Sequence, residues 1–344
     1  MIPESPPRRR ILRPMPSLPR PRRLEPRRAS AGVRHRVPAR PRVVVVGDLV
    51  LDVVLAPGRD LARGTDVTGR VVLRQGGSAS NAARWLGRLG MRPTLVCAVG
   101  RDATGRALVA DVAADGVDVK AVRVAGAPTG RIGVLVEPGG ERSFVTERGA
   151  ALRLRPEDLR PEWFAGAAAV HLPAYSLLDE PLGLAGMAAA RLGHAGGALV
   201  AVDLSSSAPL LANGRRAAIR LIEASAPDLL FATRSEARAL LGPGREERLL
   251  ELAPAAVVKR GRKGATVLLR QAGDALRLEV ATAPVRAEDT TGAGDAFDAG
   301  FLAGWLMARA RGLAESAALQ RGAVLGNRAA LRQISSRPPE LSIG

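Results

Sequence analysis

VVVVGDLVLD, residues 43–52, runs four β-branched aliphatic residues into a glycine and an acid. A strand that is apolar at every position is buried on both faces, the mark of a parallel sheet covered by helices on each side. The same kind of run returns as TLVCAVG (94–100), AAVHLPA (168–174), ALVAVDL (198–204), DLLFAT (228–233) and AAVVKRG (255–261). Between these runs lie alanine-rich stretches of helical character at 79–89, 103–114, 181–193, 215–225 and 235–241. Strands alternating with helices predict an α/β fold, with a mostly parallel central sheet and helices on both faces. Two places break the rhythm: LDVVLAP with GRVVLRQ (51–75), and VKAVRVAG with RIGVLVEPGGERSFVTERG (119–149). They read as strands or hairpins outside the main sheet, the second turning at Pro138-Gly139-Gly140. Together they predict a small β layer over one edge of the sheet, where an α/β enzyme carries a lid.

The 344 residues, 47% of them hydrophobic, suffice for one large α/β domain. No uninterrupted apolar run approaches the roughly 18 residues of a membrane span, and no apolar secretory stretch opens the chain, so a cytoplasmic protein is expected. Cys97 is the sole cysteine, which excludes a disulfide framework and a cysteine-rich zinc site within one chain, and His35, His171 and His194 are scattered. The net charge of +18 is uneven. Residues 1–42 hold thirteen Arg and two Glu, 13 − 2 = +11, leaving +7 for the other 302 residues. Ten prolines in the same segment forbid regular helix, so residues 1–41 are expected to be a disordered Arg/Pro-rich tail. Arg outnumbers Lys 48 to 3 throughout, so arginine alone is poor evidence for a nucleic-acid partner, and none is expected. The folded domain is expected over 42–335, with a C-terminal tail at 336–344.

Ligands of open parallel sheets bind beyond the carboxyl ends of the strands. The stretch that fits such a place is 289-DTTGAGDAFDAGFLAG-304. Gly292 and Gly294 let backbone approach a bulky anion, and their amides with that of Ala293 can converge on it at a helix N-terminus. Asp295 then stands in the first helical turn beside the anion, placed to take a proton from a hydroxyl attacking phosphorus. On the stretch alone a second reading stands equally: a plain helix start whose acid offsets the dipole. Other phosphate-binding designs are absent, since no G-x-x-x-x-G-K-[ST] occurs and no strand is followed by G-x-G-x-x-G.

DTTGAGDAF, with GGSASNAARWLGRLG at 76–90, resembles the two signatures of the ribokinase-like sugar kinases, the phosphofructokinase-B family, over about residues 42–335. The resemblance implies a ribokinase-like α/β fold and transfer of the γ-phosphoryl group of ATP, with Mg²⁺, to a sugar or nucleoside hydroxyl. It implies Asp295 as catalytic base, Gly292, Ala293 and Gly294 as anion hole, and Asp289 at a monovalent-cation site suited to K⁺. It implies sugar contacts at Asp48, Gly76, Gly77 and Asn81, with Asp52 either a further ligand or a turn acid.

Where relatives carry Asn-x-x-Glu, this chain has 233-TRSE-236. Glu236 is then expected to hold magnesium through water, and Thr233 either touches nucleotide or forms a capping box with Glu236. In 259-KRGRKG-264 a Lys replaces the usual Thr. Lys259, Gly261 and Gly264 are expected at ATP, and Asn327 near the adenine. His171 stands at a strand end where it could meet sugar. Nothing marks a second phosphate pocket, so a neutral hydroxyl compound is the expected acceptor. The alternatives are a nucleoside kinase, adenosine- or pseudouridine-like, and a non-catalytic sugar- or nucleic-acid-binding relative using the basic tail. A homodimer through the lid is expected from its apolar face.

Overall fold

Val43, Val44, Val45 and Val46 are all fully buried, and their side chains alternate between two separate cores. This is the period of two that a strand imposes, realised in a sheet covered on both faces. The computed structural model describes residues 40–137, 141–271, 275–285, 290–336 and 339–341. The expected tail up to residue 39, the Pro138-Gly139-Gly140 turn and Asp289 lie outside the described residues.

In chain order the elements are β1 (Arg42–Val46), β2 (Val50–Pro57), β3 (Gly69–Gly76), α1 (Ser78–Arg88), β4 (Arg92–Gly100), α2 (Ala103–Ala114), β5 (Asp118–Val124), β6 (Thr129–Val136) and β7 (Arg142–Gly149). There follow β8 (Ala169–Pro173), α3 (Tyr175–Leu178), α4 (Leu182–Ala195), β9 (Leu199–Asp203), α5 (Ser207–Leu210), α6 (Arg215–Ala224), β10 (Leu229–Thr233) and α7 (Arg234–Leu241). The chain continues through α8 (Leu249–Leu252), β11 (Ala255–Lys259), β12 (Ala265–Arg270), β13 (Ala275–Val280), α9 (Ala293–Ala310) and α10 (Glu315–Ser335).

The main sheet has nine strands in the order β13-β12-β11-β10-β9-β8-β1-β4-β5. It is parallel from β5 to β11, and β12 and β13 continue it antiparallel. Strand order reverses at β1, between β4 and β8, so the crevice past the carboxyl end of β1 is the switch point where ligands of such sheets sit. Residues of α1, α2, α9 and α10 fill one core, and residues of α4, α6, α7 and α8 the other.

The second sheet has four strands, β3-β2-β6-β7. It contains the strands expected at 51–75 and the later part of 119–149, but not VKAVRV. That segment is β5, which pairs parallel with β4 from Thr94↔Asp118 to Gly100↔Val124 and forms the edge of the main sheet. An edge strand has one neighbour and keeps access to water, so it carries Lys120 and Arg123, and this polarity reads in sequence as a strand outside the core. Val71 and Val145 of the small sheet remain exposed. Beyond α10, Leu341 donates its amide to the Leu73 carbonyl (2.8 Å), so part of the C-terminal tail lies along β3. Among the described residues no helix is long and apolar enough to cross a membrane.

An aromatic cluster joins β10 to α9. Phe231 is fully buried and meets Phe301 edge-on, with ring centroids 5.2 Å apart, and Phe297 at 6.4 Å. His171 belongs to this cluster and not to a sugar site: it is 1% exposed, lies edge-on to Phe231, and burial pushes its pKa down to about 4. Truncating the central ring removes contacts to both helix and sheet. Phe231→Ala should lower unfolding stability by about 3–5 kcal/mol in denaturant titrations.

Candidate active site

Two helices open on glycines beside each other. The backbone of Gly77, ahead of α1, has φ of +101°, and that of Gly292, ahead of α9, has φ of +71°. A Cβ on Gly77 would meet the Asp48 carbonyl oxygen at 2.5 Å, and one on Gly76 would meet Asp52 Oδ1 at 2.0 Å. Only glycine lets the chain pass so close to the two acids of the β1–β2 segment.

The first turns of α1 and α9 are joined through Asp295. Ser78 Oγ donates to Asp295 Oδ1 (2.5 Å) and Asn81 Nδ2 donates to Asp295 Oδ2 (2.8 Å). Gln75 Nε2 donates to Asn81 Oδ1 (3.2 Å), which fixes the amide with its nitrogen toward the carboxylate. Burial raises the Asp295 pKa to about 6, against the pull of the Ser78 and Asn81 hydrogen bonds. A carboxyl group so placed is ionised at neutral pH yet basic enough to accept a proton. Of the three amides expected to receive an anion, that of Ala293 closes a turn, donating to the Thr290 carbonyl (3.1 Å).

Beneath this loop lies a buried ionic cluster. Lys259 Nζ donates to Asp203 Oδ1 (2.9 Å) and to Asp298 Oδ1 (3.1 Å), and sits 5.9 Å from the centre of the Phe231 ring. Burial works against the charged ammonium, yet Asp203 and Asp298 hold its pKa above the ordinary range. The same ammonium is 3.5 Å from where a Cβ on Gly294 would be, directly under the loop that opens α9. Asp298, fully buried one turn after Asp295, has its own pKa raised by burial and then by Asp203.

A groove of about 1080 Å³ runs from this point, and Thr233, Lys259, Gly261, Gly264, Gly294 and Asn327 are among the residues lining it. The sequence expectation and the structure agree on this grouping, and one of the two readings of Thr233 is present. Thr233 and Glu236 form a capping box: Thr233 N donates to Glu236 Oε2 (2.7 Å) and Glu236 N to Thr233 Oγ1 (3.2 Å). The Asn327 amide donates to the carbonyls of Val280 (3.2 Å) and Ala281 (3.3 Å) and so fastens the end of β13 at the edge of the groove. Gly264 is required sterically, since a Cβ there would meet the Val280 carbonyl at 2.0 Å.

Among the described residues no group of three or more His, Cys, Asp or Glu is placed to hold a metal. Magnesium carried by a nucleotide still fits, because it binds through one or two carboxylates and substrate phosphates. Burial and then the Asp203 charge raise the pKa of Glu236, and a cation relieves both.

On the other side of Asp295, Asp48 is gripped by Arg148 of β7. Arg148 Nε donates to Asp48 Oδ2 (3.0 Å) and Nη2 to Oδ1 (2.8 Å), while Nη1 reaches Asp179 (2.8 Å). Asp48 is therefore a paired acid with one lone pair left on each oxygen. Asp52 stands inside β2 and not in a turn. Its Oδ1 is buried without a hydrogen-bond partner among the described residues, and burial raises its pKa to about 7, Arg74 opposing. Sequence reading missed Ser78, Arg148, Asp203 and Asp298. An acid inside the apolar run AFDAGFLAG, and a lysine in a chain nearly without them, were the available signals for the buried cluster.

The family model described as pfkB family carbohydrate kinase matches residues 40–337. A fructokinase of Klebsiella pneumoniae is 31% identical over 279 residues, 76% of this chain and 84% of that protein. An ATP-dependent ribose-1-phosphate kinase of Halopiger xanaduensis is 33% identical over 241 residues, 67% of this chain and 73% of its own. The crystal structure of adenosine kinase from Sinorhizobium meliloti superposes with a TM-score of 0.74 at 28% identity, covering 89% of this chain and 98% of that one.

The ionic cluster makes a stability prediction. Lys259→Met leaves Asp203 and Asp298 buried without their counter-ion and should destabilise by about 3–5 kcal/mol. Adding Asp298→Leu should restore a large part of the loss. Denaturant unfolding followed by tryptophan fluorescence checks both, and a Lys259→Met variant as stable as the parent would remove the cluster from the account.

Proposed function

This chain belongs to the pfkB family of carbohydrate kinases, phosphotransferases acting on a sugar hydroxyl, and we propose that Asp295 is the base through which it phosphorylates its acceptor from ATP. The observation that carries the reading is the position of Asp295. Asp295 follows Gly292, which lines the smaller cavity, and Gly294, which lines the large groove, and we read the groove as the donor side and the cavity as the acceptor side.

The acceptor hydroxyl gives its proton to Asp295 as its oxygen forms a bond to the γ-phosphorus. The bridging bond to the β-phosphate breaks, and its electron pair leaves with ADP. Ser78 and Asn81 hold the carboxylate in place and keep it ionised before the proton arrives. The amides of Gly292 and Gly294, at the positive end of α9, and the Lys259 ammonium beneath them face the charge that grows on the transferring group. Glu236 would hold magnesium through water, and the metal, when bound with the nucleotide, would supply neutralisation of the phosphate charge. Asp48, Asp52, Gly76, Gly77 and Asn81 form the acceptor side. The likeness to an adenosine kinase structure supports a nucleoside acceptor as the second reading. A non-catalytic binding protein would have no use for a carboxylate so activated, which argues against the third.

ADP release from ATP and Mg²⁺ over a panel of ribose, fructose, adenosine and pseudouridine tests the reading, with Asp295→Asn as control. The variant should lose about 10²–10⁴-fold in kcat, the worth of a positioned base. An Asp295→Asn enzyme that retains full turnover sinks the assignment. For the parent enzyme, kcat/KM should rise through about pH 6 to a plateau as the carboxyl group ionises. Ser78→Ala removes a hydrogen bond that lowers this pKa, so the rising limb should move to higher pH.

A further inference from the structure

The stripe of α1 that holds Asp295 continues for one more turn. Ser78, Asn81 and Trp85 follow the spacing that aligns side chains along one face of a helix. Ser78 and Asn81 end on Asp295. Trp85 Nε1 instead donates to Gln333 Oε1 of α10 (3.0 Å), and Gln333 Nε2 donates to the Thr291 carbonyl (2.9 Å). An indole nitrogen can only donate and a carbonyl only accept, so the two partners leave the Gln333 amide one orientation.

What that amide holds is a peptide with two stable settings. Ala293 N donates to the Thr290 carbonyl (3.1 Å), closing a turn over Thr290–Ala293, and Gly292, its third residue, has φ of +71° and ψ of 3°. With no left-handed residue at Thr291, this is a type II turn. Type I differs from it by rotation of the central peptide, here the one joining Thr291 to Gly292. Glycine adopts φ of either sign at little cost, so residue 292 does not itself choose between them. In a trans peptide the C=O and N–H point in opposite directions, and a donor on the Thr291 oxygen therefore also sets the direction of the Gly292 N–H. Gln333 Nε2 is such a donor, and it packs 3.1 Å from where a Cβ on Gly292 would stand.

We propose that Gln333 is a positioning residue of phosphoryl transfer, which keeps the Thr291–Gly292 peptide in its type II setting and thereby aims the Gly292 amide at the transferring group. The proposal rests on the role given to that amide under the kinase reading above. Trp85 stands behind Gln333 in series, so one stripe of α1 orients the base through its first two residues and the amide through its third. No local pattern in 331-LRQISS-336 marks Gln333, because both of its partners are distant in the chain.

Gln333→Met keeps the length of the side chain and removes both hydrogen bonds. With an acceptor found in the panel above, kcat should fall by about 10- to 100-fold, short of the roughly 10²–10³ that complete loss of such a donor costs. The acceptor KM and the rising limb near pH 6 should stay where they are, because Ser78 and Asn81 still hold Asp295. Trp85→Phe should act in the same direction and more weakly, and the double variant should be no worse than Gln333→Met alone, as two residues in series require. A second readout needs no acceptor: calorimetry of Mg²⁺-ADP with and without tetrafluoroaluminate, a mimic of the transferring group. The affinity gained from the mimic should shrink by a similar factor in Gln333→Met, with the affinity for ADP itself unchanged. Unchanged kcat with an unchanged gain overturns the proposal, and leaves the kinase reading standing where Asp295→Asn is inactive. A shift in acceptor KM alone also overturns it, making Gln333 an acceptor contact. A parent enzyme without turnover on any acceptor counts against the kinase reading, and the mimic then decides for or against Gln333 on its own.

Discussion

Asp295 accepts hydrogen bonds from Ser78 and Asn81, residues 217 and 214 positions earlier in the chain. The rest of the site is arranged around that clasp. It fixes the first turn of α1 against the first turn of α9, and with them the loops opened by Gly77 and Gly292. A carboxylate in this place would be repelled by an incoming phosphate if it were free to turn. Held by two donors, it keeps both its charge and its direction. The glycines are part of the same constraint, since a methyl group at residue 76 or 77 would collide with Asp52 or with the backbone of Asp48.

The Lys259 cluster is the second tier of this arrangement. Three ionisable groups, Lys259, Asp203 and Asp298, are buried together under the loop of Gly294, where desolvation makes each charge costly alone and tolerable in company. An apolar replacement of similar volume would serve folding as well. The cluster makes functional sense if a fixed positive charge beneath Gly294 is useful when a phosphoryl group passes above it. The aromatic rings around Phe231 keep water away from its lower side and preserve the strength of those interactions.

Much of the fold was legible in the chain. Runs such as VVVVG and AAVVK are apolar at every position because their strands are covered on both faces, and each was found where the sequence placed it, with ends within about two residues. Two exceptions have a common cause: VKAVRV and β13 are the two edges of the main sheet, and an edge strand is only half covered and mixes polar with apolar residues. β12, paired on both sides and buried over Ala265–Leu268, was also unassigned, although its run TVLL is apolar. Thr233 was legible as a capping residue from the spacing of T-x-x-E, and it is one.

What the sequence determined by itself was everything carried by local pattern: the alternation of strands and helices, the two glycine signatures, and Asp295 at the head of a helix. Tertiary structure alone decided the pairings. It set Ser78 against Asp295, Arg148 against Asp48, Lys259 between Asp203 and Asp298, and Gln333 between Trp85 and the Thr291 carbonyl. Periodicity along a chain reports which side of an element is buried, but not which distant side chain will be met there. The charge and proton affinity of a buried group depend on that neighbour.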